Sequence, residues 1–100
     1  MRISSNSTGD STTLHIHAVR LDAAVAQDLR SSLGDAVTAT TGPTVVDLSD
    51  VLFMNSSGLG ALIGALKTAS AGKVALTGIT PAVRTVFRLT RVDRALTNRR

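Results

Sequence analysis

Cysteine is absent from this 100-residue chain, as are tryptophan and tyrosine, and all seven acidic residues are aspartate. Without cysteine there is neither a disulfide framework nor a thiolate metal site, which fits a reducing cytoplasm. The only two aromatics, Phe53 and Phe87, imply an aliphatic core. They also argue against binding of single-stranded nucleic acid, which needs exposed rings for bases to stack on. No apolar run is long enough to cross a bilayer, and the polar N-terminus has no apolar signal segment. The expectation is a soluble cytoplasmic protein with no membrane contact.

What is present describes one small globular unit. Hydrophobic residues make up 43% of the chain and mean hydropathy is +0.22, which excludes a disordered polymer. A chain this long forms one domain, residues 1–100, that buries about two-thirds of its unfolded surface. The net charge of +4 is uneven: residues 81–100 hold six Arg against one Asp, whereas residues 1–80 hold five basic residues against six acidic ones. The basic C-terminal fifth is either a solvated helix face or a patch for an acidic partner.

The richest stretch is Val45 to Ala69, VVDLSDVLFMNSSGLGALIGALKTA. Val45, Val46 and Leu48 read as a strand covered on both faces, with Asp47 and Ser49 at its C-terminal edge. After a tight connector the period changes. Leu59, Leu62, Ile63 and Leu66 fall at i, i+3, i+4 and i+7, one apolar side of a helix that ends near Ala71-Gly72. Between the two lies Asn55-Ser56-Ser57-Gly58. Short polar side chains are favoured at a helix start because their oxygens accept from its unpaired N–H groups. One serine can cap while the other presents its hydroxyl at the positive end of the helix. The outward side of that helix, Gly60, Ala61, Gly64, Ala65, Lys67 and Thr68, is smooth. It suits either close approach by a partner or tight packing inside the domain.

The run DLSDVLFMNSSGLGALIGALKTA resembles the signature of the STAS domain (sulphate transporter and anti-sigma factor antagonist), in particular that of the bacterial anti-sigma factor antagonists. There a DLS strand end precedes a D-S-S-G-L-G helix start. Leu21-Asp22 followed by a helix, and TGITPAVRTVFRLTRVDRAL, extend the likeness over nearly the whole chain. The resemblance implies a phosphorylatable first serine, here Ser56, and a partner surface of Asn55, Ser56, Ser57, Gly58, Leu59, Gly60, Ala61 and Gly64. It further implies an anti-sigma factor serine kinase of the GHKL type as partner and a serine phosphatase for reset. No cofactor, metal or direct nucleic-acid partner is implied. Asn55 departs from the family pattern, which has Asp.

The flanks are read from pattern. Met1 to Asn6 is an edge strand and Ser7-Thr8-Gly9-Asp10 a turn. Thr12 to Val19 alternates as a half-buried strand with His15 and His17 on one face. Those histidines are either a solvated strand side or two ligands of a metal site lacking a visible third. Asp22 is expected to cap a helix carrying Leu21, Val25, Leu29 and Leu33 on one side and continuing towards Thr40, with Gly34 tolerated inside it. Lys73 to Thr77 is a strand, Thr80-Pro81 opens a helix, and Ala95 to Asn98 is a last short strand. In the helix from Pro81, Val83, Val86, Phe87 and Thr90 should be buried, with Arg84, Arg88 and Arg91 lined up on an exposed side. Strand–helix alternation gives a single α/β domain: a mixed four- to five-stranded sheet with helices packed mainly on one face.

Two catalytic readings fail on spacing. Gly58-Leu59-Gly60-Ala61-Leu62-Ile63-Gly64 misses G-x-G-x-x-G by one residue, and no acidic residue follows about twenty positions on. Ser56 lies in no G-x-S-x-G, and nothing in the pattern brings a histidine to it. The expected function is therefore non-enzymatic: an anti-sigma factor antagonist that binds its kinase and is released by phosphorylation. The alternatives are a STAS subunit of a lipid-transport ABC complex or a stressosome-type scaffold, neither needing phosphorylation.

Overall fold

The structure, a computed structural model, describes all residues except 41, 68–73, 91–96 and 99–100. Among these residues the elements are, in chain order, β1 (Ile3–Thr8), β2 (Ser11–Ile16), β3 (Arg20–Leu21), α1 (Ala26–Ala39), β4 (Thr44–Asp47), β5 (Phe53–Met54), α2 (Ser56–Leu66), β6 (Val74–Thr77), α3 (Pro81–Thr90) and β7 (Thr97–Asn98). A five-stranded sheet has the order β1-β2-β4-β6-β7, and β3 and β5 form a separate two-stranded ladder. β1 pairs with β2 antiparallel. β2 with β4, β4 with β6 and β6 with β7 are parallel, each crossover running through a helix. The mixed α/β sheet expected from the sequence is the one observed.

The core follows from alternation along the central strands. Leu14 and Ile16 of β2, Val46 of β4 and Leu76 of β6 are buried, and they join Leu29, Leu33 and Val37 of α1, Leu59, Leu62 and Leu66 of α2, and Val83 and Phe87 of α3 in one cluster. On the opposite face Thr13, His15, Val45 and Asp47 are only half-buried. The β4 run is thus sealed on one side, not both, because α1 and α2 pack on each other and over one face of the sheet.

Several expected boundaries move. β2 stops at Ile16, and the chain re-pairs as β3, whose Arg20 and Leu21 oppose Phe53 and Met54. Asp22 makes a turn, accepting from the backbone N–H of Ala24 at 3.1 Å. α1 starts only at Ala26, with Val25 at the cap position and no side-chain cap. It then runs through the buried Gly34 to Ala39. The connector before α2 is not tight, because it contains β5. The expected end of α2 at Ala71-Gly72 and the position of Arg91 lie outside the described residues. In α3 Val83 and Phe87 are buried, but Val86 and Arg84 are half-buried, so only Arg88 is fully exposed as expected.

Candidate functional site

β2, β4 and β6 end together, since His15 pairs with Asp47 and Asp47 with Thr77. In open α/β sheets binding sites gather beyond this carboxyl edge, and here it carries the starts of both α2 and α3. Its local geometry is locked by Gly78, whose φ of 68° is a left-handed conformation that favours glycine. A Cβ at that position would stand 2.5 Å from Asp47 Oδ1 and 2.9 Å from Ser49 N. That space is needed because Asp47 Oδ1 accepts from the Ser49 N–H at 2.9 Å.

Asn55 builds the start of α2. Its backbone is extended (φ −112°, ψ −175°) and its side-chain oxygen accepts from the Gly58 N–H at 3.1 Å. Its own N–H donates to the Leu21 carbonyl at 3.2 Å, and its carbonyl accepts from the Leu59 N–H at 2.9 Å. Asn55 is therefore the cap, not either serine, and it ties the helix to β3. Gly58 makes that approach possible: a Cβ there would stand 2.5 Å from the Leu21 carbonyl carbon and closer still to its oxygen.

With capping assigned to Asn55, Ser56 and Ser57 are both exposed, and neither hydroxyl bonds to any of the described residues. Gly60 is exposed beside them, and a Cβ there would meet nothing within 4 Å. α1 contributes a neighbouring cation, Arg30, which lines the same shallow depression as Ser56, Ser57 and Gly60. Its guanidinium lies over Gly64, where a Cβ would come within 2.7 Å of Cζ.

The surface expected around Ser56 is correspondingly smaller. Gly58, Leu59 and Ala61 are buried and shape the helix from within; Asn55 is half-buried and Gly64 lies beneath Arg30. Ala65 is 0% exposed. Much of the small-residue side of α2 is thus small because α1 packs on it, which leaves Ser56, Ser57 and Gly60 as the accessible part.

One feature of this edge was not anticipated. Val19 is 57%, Leu52 61% and Phe53 38% exposed. They form a continuous rim, since the N–H groups of Leu52 and Phe53 both donate to the Val19 carbonyl, at 2.8 and 3.1 Å. The Arg20 guanidinium lies 4.2 Å above the Phe53 ring. The available signal was the four-residue apolar run Val51-Leu52-Phe53-Met54, of which only Val51 and Met54 reach the core. At α3 the Thr80 hydroxyl donates to the Val51 carbonyl at 2.6 Å. The two histidines do not reach the serines. Their ring nitrogens face Asp50, Asp47 and Ser4, so no base touches either hydroxyl among the described residues. No helix among those residues is long and apolar enough to cross a membrane.

Comparison with known proteins identifies the family. The STAS domain model matches residues 3–99. No curated protein matches the sequence significantly. Among solved structures, an anti-sigma-factor antagonist (STAS) domain protein from Planctomyces limnophilus superposes with a TM-score of 0.80 at 21% identity, covering 96% of this chain and 87% of that one. An anti-sigma factor antagonist from Mycobacterium paratuberculosis gives 0.82 at 21% identity, with 97% and 83% covered. The Bacillus cell fate determinant SpoIIAA in its phosphorylated form gives 0.63 at 19% identity, with 99% and 92% covered. At these identities the superpositions establish the fold. With its family signature spanning nearly every residue and that fold built around the Asn55-capped helix, the chain belongs to the STAS domain family.

Proposed function

We propose that this protein is an anti-sigma factor antagonist, a binding module without catalysis of its own, whose attachment to an anti-sigma factor serine kinase is switched by phosphorylation of Ser56. The observation that carries this reading is a free, exposed Ser56 hydroxyl at a helix start already capped by Asn55. A kinase can take the hydroxyl out of this turn without removing any bond the fold uses. The family's Asp is replaced here by the side chain that caps equally well, so the departure leaves the local backbone intact.

The electrostatics suit a switch that leaves the fold unchanged. Phosphate brings about −1.5 to −2 charges at neutral pH. The N-terminus of α2 carries partial positive charge, and Arg30 borders the same depression. Inside the free protein the new charge is tolerated. Against a partner it is not, because burying an unpaired charge at an interface is costly. The exposed rim of Val19, Leu52 and Phe53 supplies apolar surface at the same edge for a protein partner. In this reading the unphosphorylated protein holds the GHKL-type kinase and frees the sigma factor, the phosphorylated form lets go, and a serine phosphatase resets it in the cytoplasm.

The test is binding of wild type, Ser56→Ala and Ser56→Asp to the partner anti-sigma kinase with and without ATP. Ser56→Ala should bind as wild type does and stay bound when ATP is added. Ser56→Asp should bind at least about tenfold more weakly, a difference of about 1.4 kcal/mol. Equal binding by all three, unaffected by ATP, would overturn the switch and favour a constitutive ABC-complex subunit or scaffold.

A further inference from the structure

His15 lies on β2 and His17 directly after its last residue, Ile16, so at this two-residue spacing their side chains leave the same side of the chain. This is the half-buried face, opposite the helices. The parallel register sets Asp47 of β4 beside His15, and the loop after β4 brings Asp50 back over both rings. Asp50 Oδ2 lies 3.1 Å from His15 Nε2 and 3.7 Å from His17 Nδ1. The rings stack with centroids 4.3 Å apart and planes inclined by 16°. Each outward nitrogen has its own neighbour: His15 Nδ1 lies 3.9 Å from Asp47 Oδ2, and His17 Nε2 contacts the Ser4 hydroxyl on β1.

We propose that His15 Nε2, His17 Nδ1 and the Asp50 carboxylate form a binding site for a divalent transition-metal ion of the zinc class. The third ligand that the spacing of the two histidines could not reveal is Asp50, thirty-five residues beyond His15. Ligand atoms about 2.0–2.1 Å from a tetrahedral zinc ion are about 3.4 Å from one another. The observed separations from Asp50 straddle that value, and one ligand atom from each residue lies within 4.8 Å of the others. Closing the site takes rotation of one ring out of the stack, because the in-plane lone pairs of two nearly parallel rings do not converge. Two imidazoles and one carboxylate suit zinc, copper or nickel; calcium and magnesium prefer oxygen ligands throughout. The Ser4 contact matches the outer hydrogen-bond partners that orient metal-binding histidines, and Asp47, 3.9 Å from His15 Nδ1, adds a nearby negative charge. A divalent ion uses both neutral rings and the carboxylate together. The remaining coordination position opens onto a depression lined by Ala18, Val19, Ser49 and Leu52, where water completes the shell.

The test is titration of the tag-free protein with zinc chloride by calorimetry, with cobalt(II) as a visible-light probe. One zinc per chain is expected. Asp50→Asn should weaken binding at least tenfold, Asp47→Asn about tenfold, and the double variant His15→Ala/His17→Ala should abolish both binding and the cobalt absorption bands. Circular dichroism checks that the variants fold. A measurement on the wild type alone keeps the claim testable if they do not: zinc should shift the ring resonances of both His15 and His17 in NMR spectra. Absence of stoichiometric zinc binding, unmoved ring resonances, or undiminished affinity in the folded double-histidine variant would each overturn the site.

Discussion

Helices α2 and α3 both begin beyond the carboxyl edge of a central parallel strand, yet they treat their hydroxyls in opposite ways. At α3 the Thr80 hydroxyl is bound to the Val51 carbonyl at 2.6 Å, tying the helix start to the loop before β5. At α2 the cap is Asn55, which uses its side chain, its N–H and its carbonyl on the fold. Ser56 and Ser57 are thereby relieved of structural duty. A hydroxyl at a helix start is chemically available only when the fold makes no use of it. This contrast separates the two sites more clearly than their sequences do.

The comparison breaks most readily at Gly58. Gly58→Ala drives a methyl into the Leu21 backbone, and overpacking of this kind should cost about 3 kcal/mol, seen as a lower denaturation midpoint at unchanged m-value. Thr80→Val removes the bond to Val51 and should cost about 1–2 kcal/mol. Asn55→Ala should cost about 1 kcal/mol as a lost cap, while Asn55→Asp keeps the cap and the stability. Gly60→Ala should go the other way, gaining up to about 1 kcal/mol of helix propensity with nothing to clash against. Because Gly60 is exposed beside Ser56, the same variant should nevertheless bind the partner less well. Smallest of all, Ser56→Ala and Ser57→Ala should each shift stability by less than about 0.5 kcal/mol. A loss of about 1 kcal/mol at Ser57 would return the cap to that residue and erase the contrast with Thr80.

Much of this architecture was legible because it depends on local period. Leu14 and Ile16 alternate as a strand must, Leu29 and Leu33 recur as a helix side must, and Leu59, Leu62 and Leu66 face the core as spaced. The motif at Asn55-Ser56-Ser57-Gly58 marked the right turn but not the division of labour within it. Asn, Ser and Ser can all cap, and only the pairing of Asn55 with Leu21 and Gly58 decides which does. β5 escaped because a two-residue strand has no measurable period, and its partner β3 lies more than thirty residues earlier. The same reason hid Asp50 from His15 and His17. The small residues of α2 were ambiguous for a different cause: a smooth helix side serves a partner or a neighbouring helix equally well, and α1 takes most of it.

The central claim is that Ser56 is the phosphate acceptor at a helix start that does not need its hydroxyl. The most direct measurement is intact mass after incubation with the partner kinase and ATP, with wild type, Ser56→Ala and Ser57→Ala side by side. One added phosphate in the wild type and Ser57→Ala, and none in Ser56→Ala, is the predicted result. An unmodified wild type, or a phosphate that persists in Ser56→Ala, would contradict it.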